Sequence, residues 1–488
     1  MATVLARDHF LDYPLPLQRG VAEAARHCRQ PIYVAGGPVR DWLLGLTPAD
    51  LDLTVASGAF AWARRLATQL GAAFVPLDEQ EDVARVVWQG RTIDVSSFRR
   101  QSRSIEEDLR LRDFTANAMA VEIAAEQGAL ASLVIIDPTG GAVDLAERRL
   151  RMACREGFAH DPLRMLRAAR FLATLGFGVE PETRAAIAAH REMIRQVAGE
   201  RLGHECELIL SSSASHAAMV FLHDTGLLAE LFPDLAAGQG MSQPDSHHLD
   251  VLGHSLEALR CLDTLLVEPG LFFPGHGAVF AQWLDADPKR APRVRWAALL
   301  HDIGKPVTHA IREGRITFHN HDQAGADLLH RVAARFRWPR REEEWIGRLV
   351  GLHMWPFHLS NVRRKNGVSR RACLRLGKAV GDDLAGLFLL AMADSLAGNG
   401  PGKPAGMEAE LSALFAEVHQ VWAEHIRPVL SLPPLVTGHD LKELFQLVPG
   451  PIFGEILANL EVARVEGVVF DRDQAIAWVR DFLDNSKC

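Results

Sequence analysis

Cysteine is scarce and unpatterned in this chain. Six are spread over 488 residues (Cys28, Cys154, Cys206, Cys261, Cys373 and Cys488), with no CxxC and no repeated spacing. That argues against a cysteine-built zinc site and against a disulfide framework. Long apolar runs are missing as well; none reaches the ~20 residues that a membrane-spanning helix needs. The N-terminus lacks the basic-then-apolar pattern of a secretory signal. A cytoplasmic protein with no membrane partner is therefore expected. Net positive charge is absent: the balance is −8 at pH 7. The average speaks mildly against a nucleic-acid partner, but an average hides local basic surfaces. There is no internal repeat and no low-complexity tract.

What is present is ordinary for a globular protein, with 48% hydrophobic and 23% charged residues. The length is too great for one core and predicts two to four domains. An α+β fold is expected. Up to about residue 145, "PIYVAGG", "DLDLTVA", "GAAFVPL", "ARVVWQG" and "RTIDVSSF" are short, β-rich and bounded by turn residues. "VRDWLLGL" and "AFAWARRLATQLG" carry helical periodicity. Together these predict a small mixed sheet backed by helices. From residue 146 the strand signals fade. "DPLRMLRAARFLATLG", "PETRAAIAAHREMIRQVAG" and "ERLGHECELILSSS" read as helices, and the helical reading runs to the C-terminus.

The chemistry begins in "VAGGPVRDWLLGLTPADLDLTV", residues 34–55. Gly36 and Gly37 stand between a predicted strand and a predicted helix, and Pro38 suits that helix's first turn. The glycines either turn the chain or let a phosphate approach the free amides. Asp50 and Asp52 are two apart on a predicted strand and so share a face. Either that face is a solvated edge, or a cation offsets the repulsion. Mg²⁺, which takes one or two carboxylates plus substrate phosphates, suits the second reading. Asp94, in "RTIDVSSF", is a surface residue or a third carboxylate on a neighbouring strand.

"GGPVRDWLLG" followed by "DLD" resembles the nucleotidyltransferase head of the class II tRNA CCA-adding enzymes and bacterial poly(A) polymerases, in the polymerase-β-like superfamily. Further motifs follow in the family's order: "EEDLRLRDFTANAMA" (106–120), "DPTGGAVDL" (137–145), "HDPLRMLRAARF" (160–171) and "GERLGHECELIL" (199–210). The resemblance implies a head over 1–145, a helical neck over 146–215 that recognises the nucleotide base, a helical body over 216–400, and a tRNA-binding tail over 401–488. It implies that Asp50 and Asp52 bind Mg²⁺, with Asp94 beside them in the catalytic set. Gly36, Gly37, Arg40, Arg112, Asp113 and Arg167 are implied nucleotide contacts. Asp161 and Arg164 are implied readers of the cytosine or adenine edge.

The residues themselves place Asp161 at a helix N-cap with Pro162 next. Arg164, Arg167 and Arg170 then form a basic stripe, starting where the helix dipole disfavours cations. Such a stripe is a solvated face or a binder of phosphate or a base edge. Two departures from the family stand out. His160 replaces the acidic residue that opens the base-reading motif. The loop after Phe98 is short, little more than "RRQSRSI", where full CCA-adding members carry a longer one.

"LLHDIGKP" (299–306) resembles the HD superfamily of metal-dependent phosphohydrolases. Its companions occur in order: His254, His301 with Asp302, His321, His353 and Asp394. They form an implied one- or two-metal set for Mn²⁺, Ni²⁺, Fe²⁺ or Mg²⁺, with His319 as a substitute for His321. "VRRKNGVSRRACLRLGK" (362–378) holds seven Lys/Arg and no acidic residue. It is a solvated face or an RNA-binding segment through Arg363, Arg364, Lys365, Arg370 and Arg371. "KRAPRVR" (289–295) is a weaker candidate.

The expected activity is template-independent addition of C and/or A to tRNA from CTP and ATP. A poly(A) polymerase, an HD-type phosphohydrolase whose head grips tRNA, and a non-catalytic RNA scaffold are the rivals. The sequence carries no signal for oligomeric state.

Overall fold

A computed structural model describes residues 3–28, 30–48, 50–124 and 129–485. The chain divides into two compact units, Met1–Ile209 with Ala217–Leu231, and Leu210–His216 with Phe232–Cys488. Among the described residues no helix is long and apolar enough to cross a membrane.

The first unit is built on a seven-stranded sheet. Helix α1 (Leu15–Cys28) leads into β1 (Ile32–Ala35), α2 (Gly37–Leu43), β2 (Leu51–Val55) and α3 (Ala59–Leu70). Strands β3 (Ala73–Asp78), β4 (Val83–Trp88), β5 (Arg91–Ser97), β6 (Ala120–Ala124) and β7 (Ala129–Leu130) complete it, in the order β3-β4-β5-β2-β1-β6-β7. All five strands read from the sequence are present. Strands β6 and β7 were not anticipated.

Alternation explains the placement of β2. Leu51, Leu53 and Val55 are buried in the core, so Asp52 and Thr54 take the opposite face. Gly36, at φ +84°, makes the turn from β1 into α2, and Pro38 occupies the first turn of that helix. β2 runs parallel to β5, with Asp52 opposite Asp94. The helical part of this unit includes α4 (Leu163–Leu175), ended by Gly176 in the left-handed region, and most of α5 (Gly199–Ser211).

The second unit is mainly helical. Helix α6 (Val251–Val267) packs on α10 (Leu384–Ala397), the most apolar helix of the unit. Between them in sequence come α7 (Arg290–Leu300), α8 (His321–Phe336) and α9 (Arg340–Leu352). A short hairpin, Ala310–Arg312 with Arg315–Thr317, interrupts the expected run of helices. Its turn places Glu313 and Gly314 at φ +51° and +74°. Near the C-terminus Val436, Leu441, Ile456, Leu460 and Val479 form a small core of their own.

Candidate active site and metal centre

Strand register assembles the head site. The β2/β5 pairing sets Asp52 beside Asp94, and the β4/β5 pairing sets Asp94 opposite Arg85. Arg85 accordingly grips both oxygens of Asp94, at 2.7 and 2.8 Å. Asp50 lies one residue before β2 and accepts a hydrogen bond from the Thr92 hydroxyl. Among the described residues, Asp52 has no such partner. Burial, then the neighbouring charge of Asp94, raises its carboxyl to about 6, against the pull of Arg112. A Cβ on Gly37 would stand 3.7 Å from Asp52 Oδ2, and one on Gly36 would stand 2.7 Å from Arg112 Nη1. The bare glycine turn therefore keeps the carboxylate and the guanidinium reachable.

Arginines line the rest of a cavity of ≈330 Å³ that includes Gly37, Asp52, Arg112, Asp113, Arg164 and Arg167. Arg40 donates to Asn117 Oδ1 at 2.8 Å and lies over the Phe171 ring. Arg112 is buried between Asp108 and Thr54. Burial, then repulsion from Arg99, lowers it to about 10, so it stays charged at neutral pH. Burial works to raise Asp113, but Arg167, at 2.8 Å, and Arg164 hold it far below the usual carboxylate range.

One expectation about α4 needs correcting, and one of the two readings of its arginine stripe falls away. Asp161 is not the N-cap. Pro162 is, because Asp161 still terminates the short helix Gly157–His160 with extended backbone. The Asp161 carboxylate instead takes Arg201 at 3.1 Å. The arginine stripe is not a solvated face either. Arg164 donates to the carbonyls of Leu111 and Arg112, Arg167 to Asp113, and Arg170 to Glu205. The placement of Arg164 near a helix start is thus explained by carbonyl acceptors from another segment. His160 meets the short loop after Phe98, where Arg100 Nη1 is 2.7 Å from its Nε2. Two buried carboxylates orient the arginines around the cavity: Glu205 holds Arg170, and Asp108 holds Arg99 and Arg112. They lie within the segments 106–120 and 199–210, where no local pattern sets either carboxylate apart from its acidic neighbours.

In the second unit, side chains far apart in sequence converge. His254 comes from α6, His301 and Asp302 from the end of α7, His321 from the start of α8, His353 from just beyond α9, and Asp394 from α10. His254, His301, Asp302, His321 and His353 are buried, and they fall into overlapping groups whose ligand atoms lie within 4.8 Å of one another. His321, not the exposed His319, points into the cluster. His247 is an unanticipated member: its ring sits 4.6 Å from that of His254, and it groups with His254 and Asp394. It lies in an irregular segment, and the adjacent His247–His248 pair was its one sequence signal.

These donors fit a divalent cation. Among the described residues, the buried His254 Nδ1 has no hydrogen-bond partner. Imidazole and carboxylate donors suit first-row divalent metals. Burial disfavours charge on Asp302, yet His301 and Lys305 hold it well below its ordinary value. Burial, then the neighbouring His301, pushes His353 down to about 4, which leaves it neutral and able to ligate.

The basic segment 362–378 is less free than its composition implied. Arg363 pairs with Glu417 at 2.7 Å, Arg364 with Glu410 at 2.6 Å, and Lys378 with Glu461 at 2.6 Å. Arg370 donates to the carbonyl of Val465. Among the described residues, Lys365, Arg371 and Arg375 are exposed and make no ion pair. In the candidate at 289–295, Lys289 stays exposed but two of its arginines are committed. Arg293 is buried against Glu342 and Asp287, and Arg295 against Asp263.

Three family models match this chain. Residues 32–151 match the poly(A) polymerase head domain, 176–238 a probable RNA- and SrmB-binding site of polymerase A, and 251–398 the HD domain. An A-adding tRNA nucleotidyltransferase of Deinococcus radiodurans is 34% identical, over 93% of this chain and 96% of that protein. A CC-adding tRNA nucleotidyltransferase of Thermus thermophilus is 31% identical, over 92% of both. Among solved structures, a CCA-adding enzyme in apo form superposes with a TM-score of 0.64 at 21% identity, covering 97% of each chain. The Thermotoga maritima CCA-adding enzyme complexed with tRNA gives 0.61 at 21% identity, over 98% of this chain and 99% of that one. These structures bear out the α+β fold.

Proposed function

The chain belongs to the tRNA nucleotidyltransferase family with a poly(A) polymerase head and an HD domain, and on that premise we propose that it extends the 3′ end of tRNA with C, A or both. CTP and ATP supply the nucleotide. The 3′-oxygen bonds to the α-phosphorus, the bond to the β-phosphate oxygen breaks, pyrophosphate leaves, and the hydroxyl proton is lost. The observation that carries this reading is the register that sets Asp52 beside Asp94 at the edge of an arginine-lined cavity.

Asp50 and Asp52 would hold Mg²⁺, which when bound neutralises phosphate charge and favours ionisation of the attacking hydroxyl. Arg85 already balances Asp94, so Asp94 acts by raising the charge demand at Asp52. The amides around Gly36 and Gly37, with Arg40 and Arg112, are suited to the triphosphate. Arg167 fixes Asp113, and together they brace the cavity wall. Base reading falls to Asp161 and Arg164, where a base edge would compete with Arg201 for the Asp161 carboxylate.

The second unit is read as a divalent-metal site of His254, His301, Asp302, His321, His353 and Asp394, for Mn²⁺, Ni²⁺, Fe²⁺ or Mg²⁺. Hydrolysis of phosphate esters is a second activity, favoured by the burial of Lys305 beside Asp302 in a cavity of ≈430 Å³. For RNA contact, the exposed Lys365, Arg371 and Arg375 are better suited than the paired Arg363 and Arg364.

Purified protein offered tRNA ending at the discriminator base, in CC, or in CCA tests the main reading. Each is supplied with CTP, ATP or both. Addition of one to three nucleotides, stopping at CCA, is expected. Long A tails on any RNA would instead identify a poly(A) polymerase.

A further inference from the structure

Asp50 stands at a weak point of the head sheet. The pairing of β2 with β5 begins at Leu51, opposite Ile93, so Asp50 lies one residue outside the ladder. It is exposed, and its carboxylate accepts from the Thr92 hydroxyl and, at 3.4 Å, from the Thr92 amide. Its backbone is held from another direction. The buried Tyr13 phenol donates to the Asp50 carbonyl oxygen at 3.4 Å. Burial, then the charge of Asp52, hold that phenol above its ordinary value, so it keeps its proton and remains a donor.

Tyr13 is fixed in its turn. Gln18, on α1, donates to the carbonyls of Tyr13 at 2.6 Å and Leu11 at 3.1 Å. The Tyr13 ring meets the fully buried Phe10, with centroids 5.8 Å apart. Asp8 accepts from the amides of Phe10 and Leu130, both at 2.9 Å, which ties the segment to β7. His9 stacks on Trp42 of α2, with centroids 5.8 Å apart and planes 13° apart. Segment 8–13 therefore grips the head at Trp42, before Asp50 in sequence, and at Asp50 itself. Because the phenol is already held in place, little conformational freedom is lost when it bonds to Asp50.

We propose that Tyr13 is a positioning residue for nucleotide transfer: its hydroxyl anchors the backbone of Asp50 and so sets the aim of the Asp50 carboxylate. The inference rests on the reading above that Asp50 and Asp52 hold Mg²⁺. Asp52 needs no such anchor, since it lies within the ladder between the buried Leu51 and Leu53. Tyr13 does not line the arginine-rich cavity, so it acts through Asp50 and not on the nucleotide. Losing the hydroxyl loosens one carboxylate of the pair and leaves the other in place. The hold on a cation weakens, while the contacts suited to triphosphate and base are untouched.

Tyr13→Phe is the test, because it removes the hydroxyl and keeps the ring against Phe10. Full-length protein is assayed for addition to tRNA over a range of Mg²⁺ concentrations. The half-saturating Mg²⁺ concentration should rise roughly three- to fivefold, the scale of one long hydrogen bond. At saturating Mg²⁺ the KM for CTP and for ATP should stay within about twofold of the parent. Amide hydrogen exchange, without added Mg²⁺ or nucleotide, gives a readout independent of catalysis. The amides of Asp50 and Leu51 should exchange faster in Tyr13→Phe, with the rest of the sheet unchanged. An unchanged Mg²⁺ requirement overturns the proposal. Faster exchange across the whole sheet also overturns it, since Tyr13 would then be a general packing residue. Asp50→Asn is measured alongside: if it extends tRNA at the parent rate, the reading of Asp50 as an Mg²⁺ ligand fails instead.

Discussion

Asp52 in the head and Asp302 in the helical domain are both enclosed carboxylates, yet their acidities move in opposite directions. Burial and the charge of Asp94 raise Asp52 to about 6. Burial acts the same way on Asp302, but His301 and Lys305 overcome it and hold that carboxyl well below its usual range. The head site is short of positive charge at the carboxylate itself. Its arginines are committed elsewhere, to Asp94, Asp113 and Glu205. The helical site already carries compensating groups. Part of the charge demand at Asp302 is thus met by the protein's own groups, whereas at Asp52 it is not.

The sharpest way to separate the two sites is to remove one carboxylate or ligand from each. Asp52→Ala should lower nucleotide addition at least ~10³-fold, on the scale of several kcal/mol of charge stabilisation. His301→Ala should leave addition within about twofold and abolish metal binding by the helical domain. Single-turnover extension of a tRNA substrate, with metal content measured in parallel, checks both. If His301→Ala also removed addition, the two sites would not be independent.

Next in size is the support beneath the head site. Arg167→Ala leaves Asp113 without its ion-pair partner. Arg167 is 35% exposed, so losing this pair should cost roughly 1–3 kcal/mol, between the exposed and fully buried limits, which denaturant unfolding would register. The sign with pH is fixed by the depressed acidity of Asp113. Stability from that group is present above its unfolded value near ~4 and is lost as pH falls. The gap between Arg167→Ala and the parent protein should therefore narrow on acidification, and a gap that stayed constant would rule out the ion pair as its source.

Gly304 offers the equivalent test in the helical domain. A Cβ there would lie 2.1 Å from the His321 carbonyl oxygen and 2.5 Å from the Gly325 nitrogen. Backbone contacts that close leave no side chain to move aside. Gly304→Ala should push α8 away from the His301–Asp302 corner, at a cost of about 1–3 kcal/mol. It should lower metal content while tRNA extension persists.

A smaller effect probes the acidity contrast directly. Asp52 is raised in the folded protein, so its contribution to stability is present below the unfolded value near ~4 and is lost as pH rises through about 6. In metal-free protein, Asp52→Asn should raise the melting temperature at pH 7.5 by about 2–4 °C and change it little at pH 4. Thermal scans at the two pH values check this. A gain of the same size at both would mean that the charge on Asp52 is not what strains the site.

How far these sites could be read in the sequence depends on where their partners lie. Asp50, Asp52 and Asp94 were legible because turn residues and alternation mark the strands that carry them. The histidines and aspartates of the helical cluster were legible through the resemblance of "LLHDIGKP" and its companions to the HD superfamily, since they lie far apart in the sequence. His247 was not, because an irregular segment delivers it and no periodicity points inward. Strand β6 escaped because "AVEIA" has no turn residues to bound it. The hairpin at 310–317 was absorbed into a helical reading, though its Glu313–Gly314 turn marks it in retrospect. The carbonyls of Leu111 and Arg112 that hold Arg164 lie two motifs away, beyond what local helix rules can see.

The same reasoning yields the finest test, within the basic segment 362–378. Local counting treats its seven cations alike, but Glu410, Glu417 and Glu461 come from later helices and neutralise Arg364, Arg363 and Lys378. A cation already paired has less to gain from a phosphate, because it must first give up its carboxylate. An exposed, unpaired one releases a counterion from the RNA for each phosphate it meets. Replacing Arg371 or Arg375 with Ala should therefore reduce the slope of log affinity against log salt for tRNA by about 1 each. Arg363→Ala should change it less and mainly lower stability, by up to ~1 kcal/mol for a half-exposed ion pair. Filter binding of tRNA over a range of salt concentrations measures both slopes. Equal losses from Arg363 and Arg371 would mean that the glutamates give way on binding, and that net charge, not pairing, governs contact with RNA.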